Sequence, residues 1–77
     1  MHKTTLIGNL AADPELLYTQ TGEPVANFPV IVNERWQGKD GLKRERKVRY
    51  RVAAWGKLAE VCHAHLTAGR QVYIGVH

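Results

Sequence analysis

The 77-residue sequence predicts an all-β fold with one short helix, on three observations. Apolar and polar residues alternate through four separate runs, the period of a half-buried strand. One stretch alone, Lys57 to Ala68, spaces its apolar residues as a helix does. Clusters of turn-forming Gly, Pro, Asp and Thr separate these runs. A chain of this length makes one small domain, expected over residues 1–77, and buries so little surface that it needs a closed sheet, a partner chain or a ligand. With 44% hydrophobic and 23% charged residues it has the composition of a folded chain, not of a disordered tail.

Thr4 to Leu10 alternates Leu6, Gly8 and Leu10 against Thr5, Ile7 and Asn9 and reads as the first strand. Asp13-Pro14-Glu15 breaks it, Leu16 to Thr19 forms a short extended piece, and Gln20 to Pro24 makes a turn. Val25 to Glu34 is the second strand, with Ala26, Phe28, Val30 and Val32 facing the core. Pro29 has no N–H to give to a ladder, so this strand is expected at an edge or with a bulge at that point. Gln37 to Gly41 is a loop, and Leu42 to Lys47 completes a long basic hairpin arm. In the third strand, Val48 to Trp55, the set Val48, Tyr50, Val52 and Ala54 suits the core, opposite Arg49, Arg51, Ala53 and Trp55. The helix presents Leu58, Val61, Cys62 and Leu66 and is expected to end with Gly69 at the C′ position. Gln71 to Val76 alternates again, Val72, Ile74 and Val76 lying on one side. A helix after the third strand of a small all-β chain is the arrangement of an OB-type barrel.

The positive charge is concentrated in one segment. Between Glu34 and Arg51 stand eight bases (Arg35, Lys39, Lys43, Arg44, Arg46, Lys47, Arg49, Arg51) and three acids, a net of +5. Three bases and four acids make up the rest. Such a stripe is either a solvated hairpin surface or the footprint of a phosphate-backbone binder. Two aromatic residues tilt the choice towards binding. Trp36 stands at the root of the arm, and Trp55 shares a strand face with Arg49 and Arg51. Cations with aromatic platforms are what a single-stranded nucleic acid needs, each stacked base contributing about 1–3 kcal/mol. Each Trp also has a packing explanation, Trp36 as a cap on the loop and Trp55 as a plug between strand end and helix. Nothing in these residues distinguishes RNA from DNA.

Catalysis and metal binding have little to build on. The chain contains no Ser, and its single cysteine, Cys62, lies in the apolar stripe of the helix. His63 and His65 stand two apart on the helix, where a metal pair wants a spacing of three or four. No run approaches the roughly 18 apolar residues of a membrane span. Met1 to Leu10 lacks the apolar core and cleavage site of a leader, so a cytoplasmic location is expected.

Gly8-Asn9-Leu10, Asp13-Pro14-Glu15, Tyr18, Gly22, Asn33, Trp36, Arg51-Val52, Leu66, Gly69 and Val72-Tyr73-Ile74 accompany two longer signatures, Val25-Ala26-Asn27-Phe28 and Trp55-Gly56-Lys57-Leu58-Ala59-Glu60. Together, and over nearly the whole chain, they resemble the bacterial single-stranded DNA-binding protein family. The resemblance implies a five-stranded Greek-key OB-fold barrel, usually a homotetramer, that coats single strands in DNA replication, recombination and repair. No enzyme activity and no cofactor are implied. The alternatives are a primosome-type OB accessory acting through protein contacts, and an oligomerising fragment that does not bind DNA.

The sequence departs from the family pattern at four positions. Arg49 stands where a base-stacking Trp is common, Tyr50 where a His at the subunit interface is frequent, Leu17 in place of a basic residue, and Pro29 in a strand that usually lacks proline. The family also continues beyond His77 through a hairpin, a fifth strand and a tail with an acidic tip. The expectation is therefore a barrel truncated within or after its fourth strand, with unpaired edges. It would be a proteolytic or engineered piece, or would close by pairing strands between copies as a dimer or tetramer. Tail-dependent replication and repair partners are not expected for it.

Overall fold

The computed structural model describes residues 4–76. Met1–Lys3 and His77, on which the readings of the N-terminal segment and of the chain end partly rest, lie outside the described residues. Six elements follow one another: strand β1 (Thr4–Leu10), β2 (Glu15–Tyr18), β3 (Pro24–Gln37), β4 (Lys43–Trp55), helix α1 (Lys57–His65) and strand β5 (Gln71–Val76). All pairings are antiparallel, in one curled sheet. One side of β3 is paired with β4, and along the other β2 and then β1 succeed each other, with β5 beyond β1. This is a half-barrel of the OB type, as the order of elements predicts.

The alternation read from the sequence gives the faces correctly. Leu10, Phe28, Val30 and Val32 form the buried centre, and Leu6, Tyr50, Val52, Cys62, Leu66, Val72 and Ile74 pack around it. Two strands are longer than their apolar runs. β3 continues to Gln37 and β4 begins at Lys43, so the basic arm is itself a two-stranded ribbon whose ladder hydrogen bonds need no apolar face.

Three expectations are corrected. Pro29 lies neither at an edge nor at a bulge, because β3 is the central strand and its register with β4 runs unbroken through Pro29–Arg51. The Pro29 carbonyl accepts from the Ala11 N–H at 2.9 Å. A residue in a strand points its N–H and C=O to the same side, so the missing donor faces the point where the neighbour changes from β2 to β1. There the ladder loses one bond and β4 is untouched. Second, the helix ends at His65, well before Ala68. Leu66 turns extended towards the core, and the donors that follow are taken from outside the helix. The Asp13 carboxylate accepts from the Ala68 N–H at 2.7 Å, and the Leu10 carbonyl from the Gly69 N–H at 2.8 Å. Third, the buried helix face is Ala59, Cys62 and Leu66, while Leu58 and Val61 are exposed.

Among the described residues, β4 pairs only with β3 and β5 only with β1. Between them the core opens into an apolar hollow of about 390 Å³ lined by Phe28, Val52, Ala54, Leu58, Cys62, Leu66, Val72 and Ile74. Burial in this wall pushes the Cys62 thiol pKa up and keeps it protonated. No helix among the described residues is long and apolar enough to cross a membrane.

Gly8 sets how closely β1 crosses β3. A methyl group there would lie 2.5 Å from the Ile31 carbonyl oxygen and 2.7 Å from a Val30 methyl. Backbone cannot yield as a flexible side-chain end does, so Gly8→Ala should cost about 1–3 kcal/mol, read as a lower midpoint in urea unfolding. An unchanged midpoint would contradict this packing.

Candidate nucleic-acid interface

The candidate interface is built by the β3–β4 ribbon. Thirteen cross-strand pairs run from Val25–Trp55 to Gln37–Lys43, and a strand's side chains alternate between faces. The register therefore sorts the ten candidate residues. Arg35, Lys43, Lys47, Arg49, Arg51 and Trp55 share the face that points away from the core. Trp36, Arg44 and Arg46 share the parity of Phe28, Val30 and Val32, but lie on the part of the ribbon that projects past the barrel. Lys39 sits in the turn. The two tryptophans thus occupy opposite faces and opposite ends. Eleven residue steps separate Trp36 from Val25, the cross-strand partner of Trp55, or roughly 36 Å along the strand.

Both rings are available to a ligand. Trp36 is 45% exposed and Trp55 55%, which argues against a purely packing role for either. Leu17 and Trp55 flank Val25 from its two sides, so a row of apolar side chains crosses the outward face at its base. Next to it a hollow of about 350 Å³ is lined by Asp13, Glu15, Asn27, Pro29, Arg49 and Arg51. At the far end a larger hollow of about 600 Å³ borders Trp36, Arg35, Gln37, Lys43 and Arg44.

Acidic residues claim three of the eight bases. Arg35 Nε donates to Glu45 at 3.1 Å, Arg44 to Asp40 at 2.6 Å, and Arg46 Nε to Glu34 at 2.9 Å. All three pairs are largely exposed and each contributes little to stability. Among the described residues, Lys39, Lys43, Lys47, Arg49 and Arg51 have no such partner. Four of these five lie on the outward face, which carries the uncompensated charge.

The turn that closes the ribbon is internally bonded. Gly41, at φ 79°, occupies the left-handed region, and its N–H donates to the Gly38 carbonyl at 3.0 Å. The Asp40 carboxylate accepts from the Leu42 N–H at 3.0 Å as well as from Arg44, and Gln37 donates to the Gly41 carbonyl at 3.1 Å.

Sequence reasoning counted Glu34 only as a charge to subtract. In the structure its carboxylate joins Arg46 to Tyr50, whose hydroxyl donates to it at 3.1 Å. Tyr50 is half-buried against the core, as strand parity predicts. Glu34 would have been found from the hairpin, since a turn centred on Asp40 pairs residue 34 with residue 46. Leu17 was noted only as a departure, and its place beside Val25 depends on the β2–β3 pairing that a four-residue strand barely signals.

The description of the Single-strand binding protein family fits residues 1–77, and the chain belongs to that family. It is 43% identical over 74 residues to single-stranded DNA-binding protein 1 of Chlorobaculum tepidum, covering 96% of this chain and 46% of that protein. The chain thus spans about half the length of that relative. Its fold matches the crystal structure of a deletion mutant of the single-stranded DNA-binding protein from Thermus aquaticus with a TM-score of 0.86. That match has 25% identity and covers 97% of this chain and 37% of the other.

Arg46 and Tyr50 together hold the Glu34 carboxyl below its usual range, the Arg46 hydrogen bond having the larger effect. A carboxyl whose pKa is lower folded than unfolded contributes stability above the unfolded value and loses it as pH falls through the folded one. The difference in thermal midpoint between the wild type and Glu34→Gln should therefore shrink as pH is lowered from about 7 to about 3. A difference that stays constant over that range would show that the carboxylate is not held by its partners.

Proposed function

We propose that this chain is a single OB-fold domain over residues 1–77 that binds single-stranded DNA without sequence preference. Bases stack on Trp36 and Trp55 while Lys39, Lys43, Lys47, Arg49 and Arg51 neutralise phosphates. The single observation that carries this reading is the β3–β4 ribbon, which leaves five cations without acidic partners among the described residues and an exposed Trp at either end. Arg49 extends the stacking surface in a second way, since a guanidinium lies flat against a base and also binds phosphate. The named functions of the two relatives support DNA as the ligand. The domain has no catalytic role in this reading. It protects single strands in replication, recombination and repair, in the cytoplasm, as a homo-oligomer.

Stacking and phosphate neutralisation leave different signatures. Intrinsic tryptophan fluorescence should be quenched saturably by oligo-dT, persist against an equal-length duplex competitor, and weaken with salt at a log–log slope of about 0.7 for each phosphate neutralised. Trp36→Ala and Trp55→Ala should each weaken binding by about 1–3 kcal/mol with the fold intact by circular dichroism. Unquenched emission from a folded sample would contradict the proposal, as would affinity lost only in proportion to unfolding.

A further inference from the structure

Arg46 is the one paired cation of the ribbon that also lies over an aromatic ring among the described residues. Its guanidinium carbon lies 5.6 Å from the centre of the Trp36 ring, within cation–π range, while Nε is bound to Glu34. Glu34 and Arg46 are direct cross-strand partners, and Trp36 follows two residues on along the same face. The Tyr50 hydroxyl holds the second carboxylate oxygen of Glu34 from the core side, fixing the carboxylate at both ends. The hollow of about 600 Å³ at Trp36 is lined by Arg35, Gln37, Lys43, Arg44 and Glu45 but not by Arg46. The ring thus borders a cation and also borders a hollow whose volume is large enough for a base.

We propose that Glu34 is a positioning residue: it ties Arg46 against Trp36, so that a base stacks on this ring from the hollow and Arg46 serves the ring, not a phosphate. Charge balance favours the arrangement. An ionised Glu34 cancels Arg46 locally, whereas Lys47, its neighbour on the other face, has no acidic partner among the described residues. A ring held against a cation on one side also stays upright before a ligand arrives, so fewer conformers are lost on stacking. The inference rests on the single-strand-binding reading for its ligand, but not for the geometry it describes.

Two measurements separate these parts. Trp36 emission is read alone in a Trp55→Phe background, first with no nucleic acid present. Glu34→Gln and Arg46→Gln should shift it alike, and the double variant no further than either. Unchanged emission in Glu34→Gln would overturn the proposal. Salt titrations with oligo-dT between about 50 and about 200 mM supply the second readout. Arg46→Gln should weaken binding with the log–log slope unchanged, whereas Lys47→Gln lowers the slope by about 0.7. Arg46→Gln made in the Glu34→Gln variant should also lower it by about 0.7, since the freed guanidinium can then reach a phosphate. A slope that falls as much in Arg46→Gln alone as in Lys47→Gln would show that Arg46 is an ordinary phosphate contact and overturn the proposal. If Lys47→Gln changes nothing either, it is the phosphate reading of the ribbon that fails, and the emission result alone decides the role of Glu34.

Discussion

Backbone pairing between β3 and β4 extends well beyond the hydrophobic core, and that extension organises the surface of the molecule. Inside the barrel the even-numbered side chains of β3 are buried and those of β4 are buried or half-buried against them, which fixes the register because a one-residue slip would turn Phe28, Val30 and Val32 outwards. Outside it the same register persists with no apolar face to enforce it. The cross-strand pairs Glu34–Arg46 and Arg35–Glu45 match opposite charges on the two faces of the ribbon, and the bonded turn at Gly38–Leu42 closes its end. The arm is thus held by its core-anchored root, by its turn and by two modest ion pairs.

Those ion pairs also determine where charge remains. Arg35, Arg44 and Arg46 each have an acidic partner, so the strongly basic segment resolves into a projecting face where Arg44 and Arg46 are paired beside Trp36 and an outward face where Arg35 is paired with Glu45 while Lys43, Lys47, Arg49 and Arg51 have no acidic partner among the described residues. Free cations beside a low-dielectric sheet attract polyanions over about a Debye length, and counterions released from them favour binding at low salt. In the proposed reading, exposed aromatic rings at either end convert a general attraction for phosphate into one for strands whose base faces are open. The roughly 36 Å between the Trp36 and Trp55 positions means that one short stretch of bases does not reach both.

Much of this was legible in the sequence. Period-two alternation gave the buried faces of all four long strands, and the placing of one helix after the third gave the architecture, because both follow from local sequence alone. Pro29 misled because its cost depends on which neighbour lies opposite its nitrogen, and that neighbour, the junction of β1 and β2, comes from distant parts of the chain. The helix end misled for a similar reason: Gly69 does adopt a positive φ, but in the turn after the helix, where Asp13 and Leu10 capture the donors. The basic and aromatic residues proposed for the site were named from composition and parity. Their division into paired and unpaired, and the separation of the two tryptophans, required the register of a hairpin whose turn could be centred on Asp40 but whose arms carry no apolar pattern.

The central claim is that the ribbon offers two separate stacking positions joined by a track of free cations. It is tested most directly with two single-tryptophan variants, Trp36→Phe and Trp55→Phe, each titrated with oligo-dT of increasing length while the emission of the remaining tryptophan is followed. The account predicts that short oligonucleotides at one-to-one stoichiometry quench each ring only partially, since they occupy one position or the other, and that quenching of both becomes complete only once the strand is long enough to span the ribbon. Full quenching of both rings by the shortest oligonucleotides at that stoichiometry would place them in one site and contradict the account.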